Sequence, residues 1–166
     1  MPATELDTTS WTSFESTLAL RLRQLDDPDF ITVAEASFVY EPPAKRGLFG
    51  RVLGGVFGSD EPVDGGAFVQ AHRAGALLYA ECVGSRSFGG RHAWTPDQEA
   101  ALERVGWVHR PALIGEEVYV MGAGADPALN GHVPVGDAPA VAALMVAAMR
   151  DVVGTAHPAT LEIRFG

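Results

Sequence analysis

The sequence has little from which covalent cross-links or a membrane anchor could be built. It contains one cysteine, Cys82, so no intramolecular disulfide can form. No apolar run reaches the roughly 18 residues that a transmembrane helix needs, because glycine and proline interrupt the longest ones. We therefore expect no membrane span. A lone thiol fits the reducing cytoplasm, where we expect the protein to reside.

Basic residues are also scarce. Lysine and arginine number 12 against 21 aspartate and glutamate residues, Lys45 is the single lysine, and the formal net charge is −9. Such a surface repels phosphate backbones, which argues against nucleic acid as a partner. The chain has 166 residues, of which 47% are hydrophobic, so it is long enough to bury a core. We expect one domain over residues 1–166.

Catalytic and metal-binding patterns are absent from the sequence. No two of the five histidines are three or four residues apart, the spacing that places two imidazoles on one helix face. Glu116 and Glu117 are adjacent, and neighbouring residues of a strand point to opposite faces. Cys82 and His72 fall on opposite faces of a predicted hairpin, which favours a core cysteine. We predict no catalytic residues, no metal and no cofactor.

The periodicity of apolar residues predicts an α+β fold with an antiparallel sheet. A capping box formed by Thr95 and Gln98, with Pro96 at the first helical position, marks the strongest helix start. Residues 122–136 are rich in glycine and proline and are predicted as a loop. Helices are predicted over residues 11–25, 95–106 and 137–154, and strands over residues 30–40, 67–72, 77–83, 117–121 and 161–165.

The predicted hairpin over residues 67–83 defines two faces of the sheet. If His72 pairs with Leu77, one face is small and apolar, and it carries Val69, Ala71, Leu78, Ala80 and Cys82. The other face is mixed, and it carries Phe68, Gln70, His72, Tyr79 and Glu81. We expect the apolar face to pack on the core and the mixed face to be accessible.

A glycine- and proline-rich insertion is predicted at about residues 42–66. Within it, residues 45–58 combine three of the twelve basic residues with large apolar side chains, among them Leu48, Phe49 and Phe57. This segment could dock on a partner groove or on an anionic surface. A linker, or a flap that covers the protein's own sheet, is the interpretation that we favour.

Several short motifs are shared with one known group of proteins. They are Phe68-Val69-Gln70, Leu78 to Gly84, Thr95 to Leu102, Val105-Gly106-Trp107, Pro111, Asn130, Met149 to Val152, and His157-Pro158. In these motifs, which span residues 10 to 162, the chain resembles the TY-Chap families of actinobacteria. Those families are YbjN-like domains related to type III secretion chaperones.

The resemblance implies a twisted antiparallel sheet with helices packed on one face. It also implies a non-enzymatic domain that binds other proteins, often as a homodimer. Carried over to this sequence, it places partner-binding candidates on the mixed sheet face at Phe68, Gln70, Tyr79 and Glu81, with Trp107 at its margin. Our leading interpretation is a chaperone-like or adaptor domain that holds a segment of a partner protein of unknown identity.

Two other functions stay open at this point. The chain could be a small-molecule-binding domain or an enzyme that uses His72, Glu81 and the loop from Gly122 to Asn130. A concave pocket that joins these groups would favour that alternative. The chain could also be an immunity or regulatory partner of a secreted toxin, which sequence features alone do not reveal.

Overall fold

The computed structural model describes residues 5–35, 67–84, 94–111, 117–122 and 131–166. These residues form helices α1 (Trp11–Arg23), α2 (Pro96–Val105) and α3 (Ala138–Ala147). Their strands are β1 (Phe30–Glu35), β2 (Ala67–Ala74), β3 (Leu77–Gly84), β4 (Trp107–Pro111), β5 (Glu117–Met121), β6 (His132–Pro134) and β7 (Leu161–Phe165). A π-helix over Ala148–Val153 extends α3, and single 3₁₀ turns cover Val135–Asp137 and Pro158–Thr160.

The seven strands form one antiparallel sheet, in which six of them follow the order β4-β5-β3-β2-β1-β7. The short strand β6 pairs with the first residues of β3, whereas β5 pairs with the last residues of β3. Among the described strands, β4 and β7 are therefore the two ends of this order, and β6 pairs with β3 alone. The predicted α+β class with an antiparallel sheet is confirmed.

The helices cover one face of the sheet. In α1, Phe14, Leu18 and Leu22 recur at a spacing of four and are buried. They join one hydrophobic core with residues of α3 and with alternate strand residues such as Val69 and Cys82. Helices α1 and α3 pack side by side, and α2 lies next to the π-helix and β4.

Helix α2 begins and ends as the sequence predicts. The Thr95 side chain accepts a hydrogen bond from the Gln98 main chain, and the Gln98 side chain accepts one from the Thr95 main chain. Gly106 ends the helix with a φ of +111°, a conformation that L side chains rarely adopt. This turn directs the chain straight into β4.

Three features differ from the sequence-based prediction. Strand β4 was not predicted, and β6 lies within residues 122–136, which were predicted as a loop. In the hairpin, His72 pairs with Tyr79 rather than with Leu77, so the turn consists of Gly75 and Ala76 alone. Asp137, the first residue of the helix predicted over residues 137–154, directly precedes α3, and its side chain makes no capping hydrogen bond.

Two predicted features fall outside the described residues. They are the insertion at about residues 42–66 and the last residues, 36–40, of the first predicted strand. In the part of the chain that the structure describes, none of the helices is long and apolar enough to cross a membrane.

Candidate functional site

The face of the sheet opposite the helices carries the residues that the sequence indicates as partner-binding. The observed hairpin register differs from the predicted one by two residues, and a shift of two leaves every side chain on its predicted face. Phe68, Gln70, Tyr79 and Glu81 therefore share one face as predicted. His72 lies on the same face, opposite Tyr79.

A buried polar row crosses the middle of this face. Thr32, Gln70 and Glu81 are cross-strand neighbours on β1, β2 and β3. The Thr32 hydroxyl donates a hydrogen bond of 2.9 Å to the Gln70 side-chain carbonyl. Glu81 is buried as well, with 9% of the residue's surface exposed. The row lies on the inner strands of the sheet, where each side chain has neighbours on both sides.

The expectation that the mixed face is accessible is therefore wrong for most of the candidate residues. Phe68, Gln70 and Glu81 are buried, and only Tyr79 keeps substantial exposure. Trp107 lies on the other face, in the core beneath the helices, because it pairs with Met121 and follows directly after α2. The candidates Leu48, Phe49 and Phe57 lie outside the described residues.

Three aromatic rings form a cluster at the more exposed end of this face. His72, Tyr79 and His132 are cross-strand neighbours on β2, β3 and β6, and each is partly exposed. The ring centroid of Tyr79 lies 5.0 Å from that of His72 and 4.9 Å from that of His132. Gly131, with a φ of +87°, turns the chain into β6 beside the Tyr79 ring.

The environment of two of these rings, His72 and Tyr79, favours their uncharged forms near neutral pH. Burial, and then the neighbouring His132, lower the pKa of His72 below its usual 6.5. Burial, and then the Glu81 carboxylate, raise the pKa of Tyr79 to about 12, against a smaller opposite effect of Arg110. Tyr79 thus keeps its proton, and His72 is neutral at pH 7.

The edge strand β7 is a second candidate surface, which sequence reasoning missed. Its residues Leu161 and Ile163 are half-buried against the core, and Phe165 is 50% exposed. The Arg21 guanidinium lies 4.9 Å above the Phe165 ring. On the opposite face, the Arg164 Nε donates a hydrogen bond of 2.8 Å to the Glu162 carboxylate. The alternation of residues 160–165 predicts the strand, but not its place at an edge.

The described residues offer little for catalysis or metal binding. Cys82 is fully buried, and burial raises the pKa of its thiol well above the usual range. No group of three or more histidine, cysteine, aspartate or glutamate side chains in the described ranges could hold a metal ion. Neither of two shallow grooves beside α3 is lined by His72 or Glu81. The loop from Gly122 to Asn130 lies, apart from Gly122, outside the described residues.

Comparison with known proteins identifies the family whose model this chain matches. The family model described as "T3SS (YopN, CesT) and YbjN peptide-binding chaperone 3", or TY-Chap3, matches residues 5–165. No match was found among curated proteins or among solved structures. The match covers the described sheet and helices together.

Proposed function

Since the chain belongs to the TY-Chap3 family of peptide-binding chaperones, we propose that it holds an extended segment of a partner protein and catalyses no reaction. The observation that carries the proposal is the β7 edge of the sheet. An extended peptide can join such an edge as a further strand, through main-chain hydrogen bonds. The family supports a protein-binding role, and the edge supplies a place for it.

The hydrogen bonds between β7 and β1 determine which main-chain groups face outward. The Phe30 N–H donates to the Gly166 carbonyl at 2.8 Å, and the Gly166 N–H donates back to the Phe30 carbonyl at 3.3 Å. In an antiparallel pair, hydrogen-bonded and non-hydrogen-bonded positions alternate. Glu162 and Arg164 therefore bond to β1, like Gly166. The main-chain groups of Leu161, Ile163 and Phe165 point away from the sheet.

Most of these outward groups have no partner among the described strands, because β7 pairs only with β1 there. The Leu161 N–H is an exception, since it donates to the Pro158 carbonyl. This leaves the N–H groups of Ile163 and Phe165 and three carbonyl groups for an added strand. The opposite edge, β4, carries exposed His109 and Arg110 and ends in Pro111, features that disfavour a further strand.

The side chains of β7 set the kind of segment that fits. On the helix side, an added strand lies beside Leu161, Ile163 and Phe165. On the other side, it lies beside the ion pair of Glu162 and Arg164. Cross-strand apolar and charged pairs each contribute about 0.2–1 kcal/mol. We therefore propose a segment with apolar residues at alternate positions and polar residues between them.

The test uses short peptides selected on the wild-type protein from a random display library, with affinity measured by fluorescence anisotropy. Ile163→Pro removes one outward N–H and leaves the hydrogen bonds to β1 in place, and proline is tolerated at sheet edges. Loss of a main-chain hydrogen bond costs about 1–3 kcal/mol when its partner is left unpaired, so binding is expected to weaken at least about fivefold.

Ile163→Ala is the matched control, because it removes the same side chain but keeps the N–H. Proline is expected to weaken binding clearly more than alanine does, while circular dichroism shows both variants folded. Equal affinity of the proline and alanine variants would contradict strand addition at this edge. A library that yields no binding peptide at all would contradict the proposed function itself.

Other parts of the proposal rest on the family resemblance. Of the predicted partner-binding residues that the structure describes, Tyr79 is the partly exposed one, and it stays a proposed contact of the bound segment. Homodimerisation also stays a prediction, and a sedimentation mass equal to one chain at high concentration would exclude it. The enzyme alternative is not favoured. Neither groove beside α3 is lined by His72 or Glu81, and Glu81 is buried.

A further inference from the structure

Strand β7 carries a pattern of side chains that is complementary to itself. Its residues are Leu161, Glu162, Ile163, Arg164 and Phe165, so an acidic and a basic residue lie on either side of a central apolar one. When the direction of such a strand is reversed, the acidic residue comes opposite the basic one and the apolar residues come opposite one another. A second copy of β7, antiparallel to the first, therefore matches the first in charge and in polarity.

The main-chain groups of this edge are complementary to themselves as well. The outward groups belong to Leu161, Ile163 and Phe165, so a second strand forms hydrogen bonds only where these residues lie opposite one another. With Ile163 opposite Ile163 of the second copy, each N–H of this pair donates to the other carbonyl. The Phe165 N–H donates to the Leu161 carbonyl of the second copy, and symmetry repeats that bond. The Leu161 N–H, which donates to the Pro158 carbonyl, is not needed.

The charges favour one register among those that the main chain allows. With a twofold axis at Ile163, Glu162 lies opposite Arg164 of the second copy, and the same pair recurs on the other side of the axis. These are non-hydrogen-bonded positions, where the side chains of an antiparallel pair are closest. An axis at Glu162 or at Arg164 instead places two like charges directly opposite each other, which is destabilising.

The exposure of β7 shows that the described residues leave its outer side uncovered. Every residue of β7 is at least partly exposed, whereas residues 31–34 of the neighbouring strand β1 are buried. The Glu162 and Arg164 side chains are each 36% exposed, and Phe165 is 50% exposed. In the paired arrangement, Leu161 of the second copy lies beside Phe165 on the helix side and covers part of its ring.

We infer that β7 pairs with β7 of a second copy about a twofold axis at Ile163, and that this self-pairing and the binding of a partner segment exclude each other. The exclusion rests on the proposed function, because both would use the outward groups of Ile163 and Phe165. The pairing itself rests on the edge alone. An unpaired edge strand with apolar side chains can associate with other chains, and self-pairing covers it when no partner segment is present.

The size of the contact determines its strength. Each copy contributes one strand of five residues. Such a contact belongs to the small interfaces below about 1,000 Å², which are weak and reversible. The paired form is therefore populated in concentrated protein, and dilution gives the single chain with an open edge.

The test measures the mass of the full chain by sedimentation from micromolar to millimolar concentration. The wild type is expected to change from one chain to two as the concentration rises. Over the same range, exchange of the Ile163 and Phe165 amide protons is expected to change from fast to slow. A mass of one chain throughout, or two chains in which these amides still exchange fast, would overturn the inference.

Charge reversal in β7 tests the register. Glu162→Arg and Arg164→Glu each turn both attractive pairs of the twofold contact into repulsive ones, so each is expected to weaken self-association at least about fourfold. An equimolar mixture of the two variants has opposite charges at both positions again and is expected to associate as tightly as the wild type. A mixture that associates no better than either variant alone would overturn the inference. Circular dichroism checks that both variants are folded.

Matched charge reversals on the π-helix control for the net charge of the chain. Arg150 and Asp151 form an exposed ion pair there, with 2.7 Å between Nε and Oδ1. Asp151→Arg and Arg150→Glu change the net charge by the same amounts as the two β7 variants. They are expected to leave self-association within about twofold of the wild type, because exposed charges away from the contact are screened by salt. Control effects as large as those of the β7 variants would overturn the inference.

Peptides selected from the display library separate this inference from the proposed function. Such a peptide, added to concentrated wild type, is expected to return the mass to one chain with one bound peptide. Paired chains that bind the peptide and stay paired would overturn the mutual exclusion. Peptide binding at the β7 edge of a chain that never pairs would overturn the inference and leave the proposed function standing. Self-pairing without binding of any peptide would support the pairing and contradict the proposed function.

Discussion

Helix α1 offers a sharp test of the packing, because it carries two leucines on opposite sides. Leu18 is 0% exposed and lies in the core, whereas Leu20 is 47% exposed. Leucine to alanine at a buried site costs about 2–5 kcal/mol, from lost burial and from the cavity left behind. The same change at an exposed site stays within about 0.5 kcal/mol. The two substitutions alter helix propensity equally, so their difference measures burial alone.

For a chain of this size, each kcal/mol lowers Tm by roughly 2–4 °C. Leu18→Ala is therefore expected to lower Tm by about 4–20 °C, and Leu20→Ala by no more than about 2 °C. Urea denaturation followed by circular dichroism measures both free energies of unfolding. Equal losses in the two variants, or a larger loss in Leu20→Ala, would refute the assignment of the buried face of α1.

Three further predictions follow from single residues. Cys82 is fully buried with a raised pKa, so iodoacetamide is expected to label it in urea but not in the native protein; rapid native labelling would contradict this. The pKa of His72 is lowered in the folded state, so the unfolded state binds the proton more readily. The free energy of unfolding is therefore expected to fall as the pH drops below about 6.5. His72→Gln is expected to make the free energy of unfolding depend less steeply on pH. Thr95→Ala removes the capping box of α2 and is expected to lower the free energy of unfolding by about 1 kcal/mol. Thr95→Ser keeps a capping hydroxyl and is expected to keep most of that stability. An unchanged Tm in the alanine variant would argue against the cap.

Local signals in the sequence predict much of the fold. The spacing of Phe14, Leu18 and Leu22 predicts α1, and the capping box with Gly106 gives both ends of α2. The predicted hairpin faces hold although the register is shifted by two residues, since side chains alternate with a period of two. These features depend on residues that are close together in the sequence.

Features that depend on distant contacts could not be predicted in the same way. The edge position of β7 follows from its pairing with β1, which is more than a hundred residues away in the chain. Strand β6 has three residues, too few to alternate, and β4 ends in His109, Arg110 and Pro111, which give no alternation of apolar and polar residues. The burial of Gln70 and Glu81 is contrary to their polar character, from which the sequence predicts an accessible face.

The exchange of main-chain amide protons in β7 tests the central claim most directly. In the free protein, the N–H groups of Glu162 and Arg164 bond to β1 and are expected to exchange slowly, whereas those of Ile163 and Phe165 point outward and exchange fast. When a selected peptide binds, slow exchange at Ile163 and Phe165 is the result that strand addition predicts. Tight binding that leaves these two amides in fast exchange would contradict it.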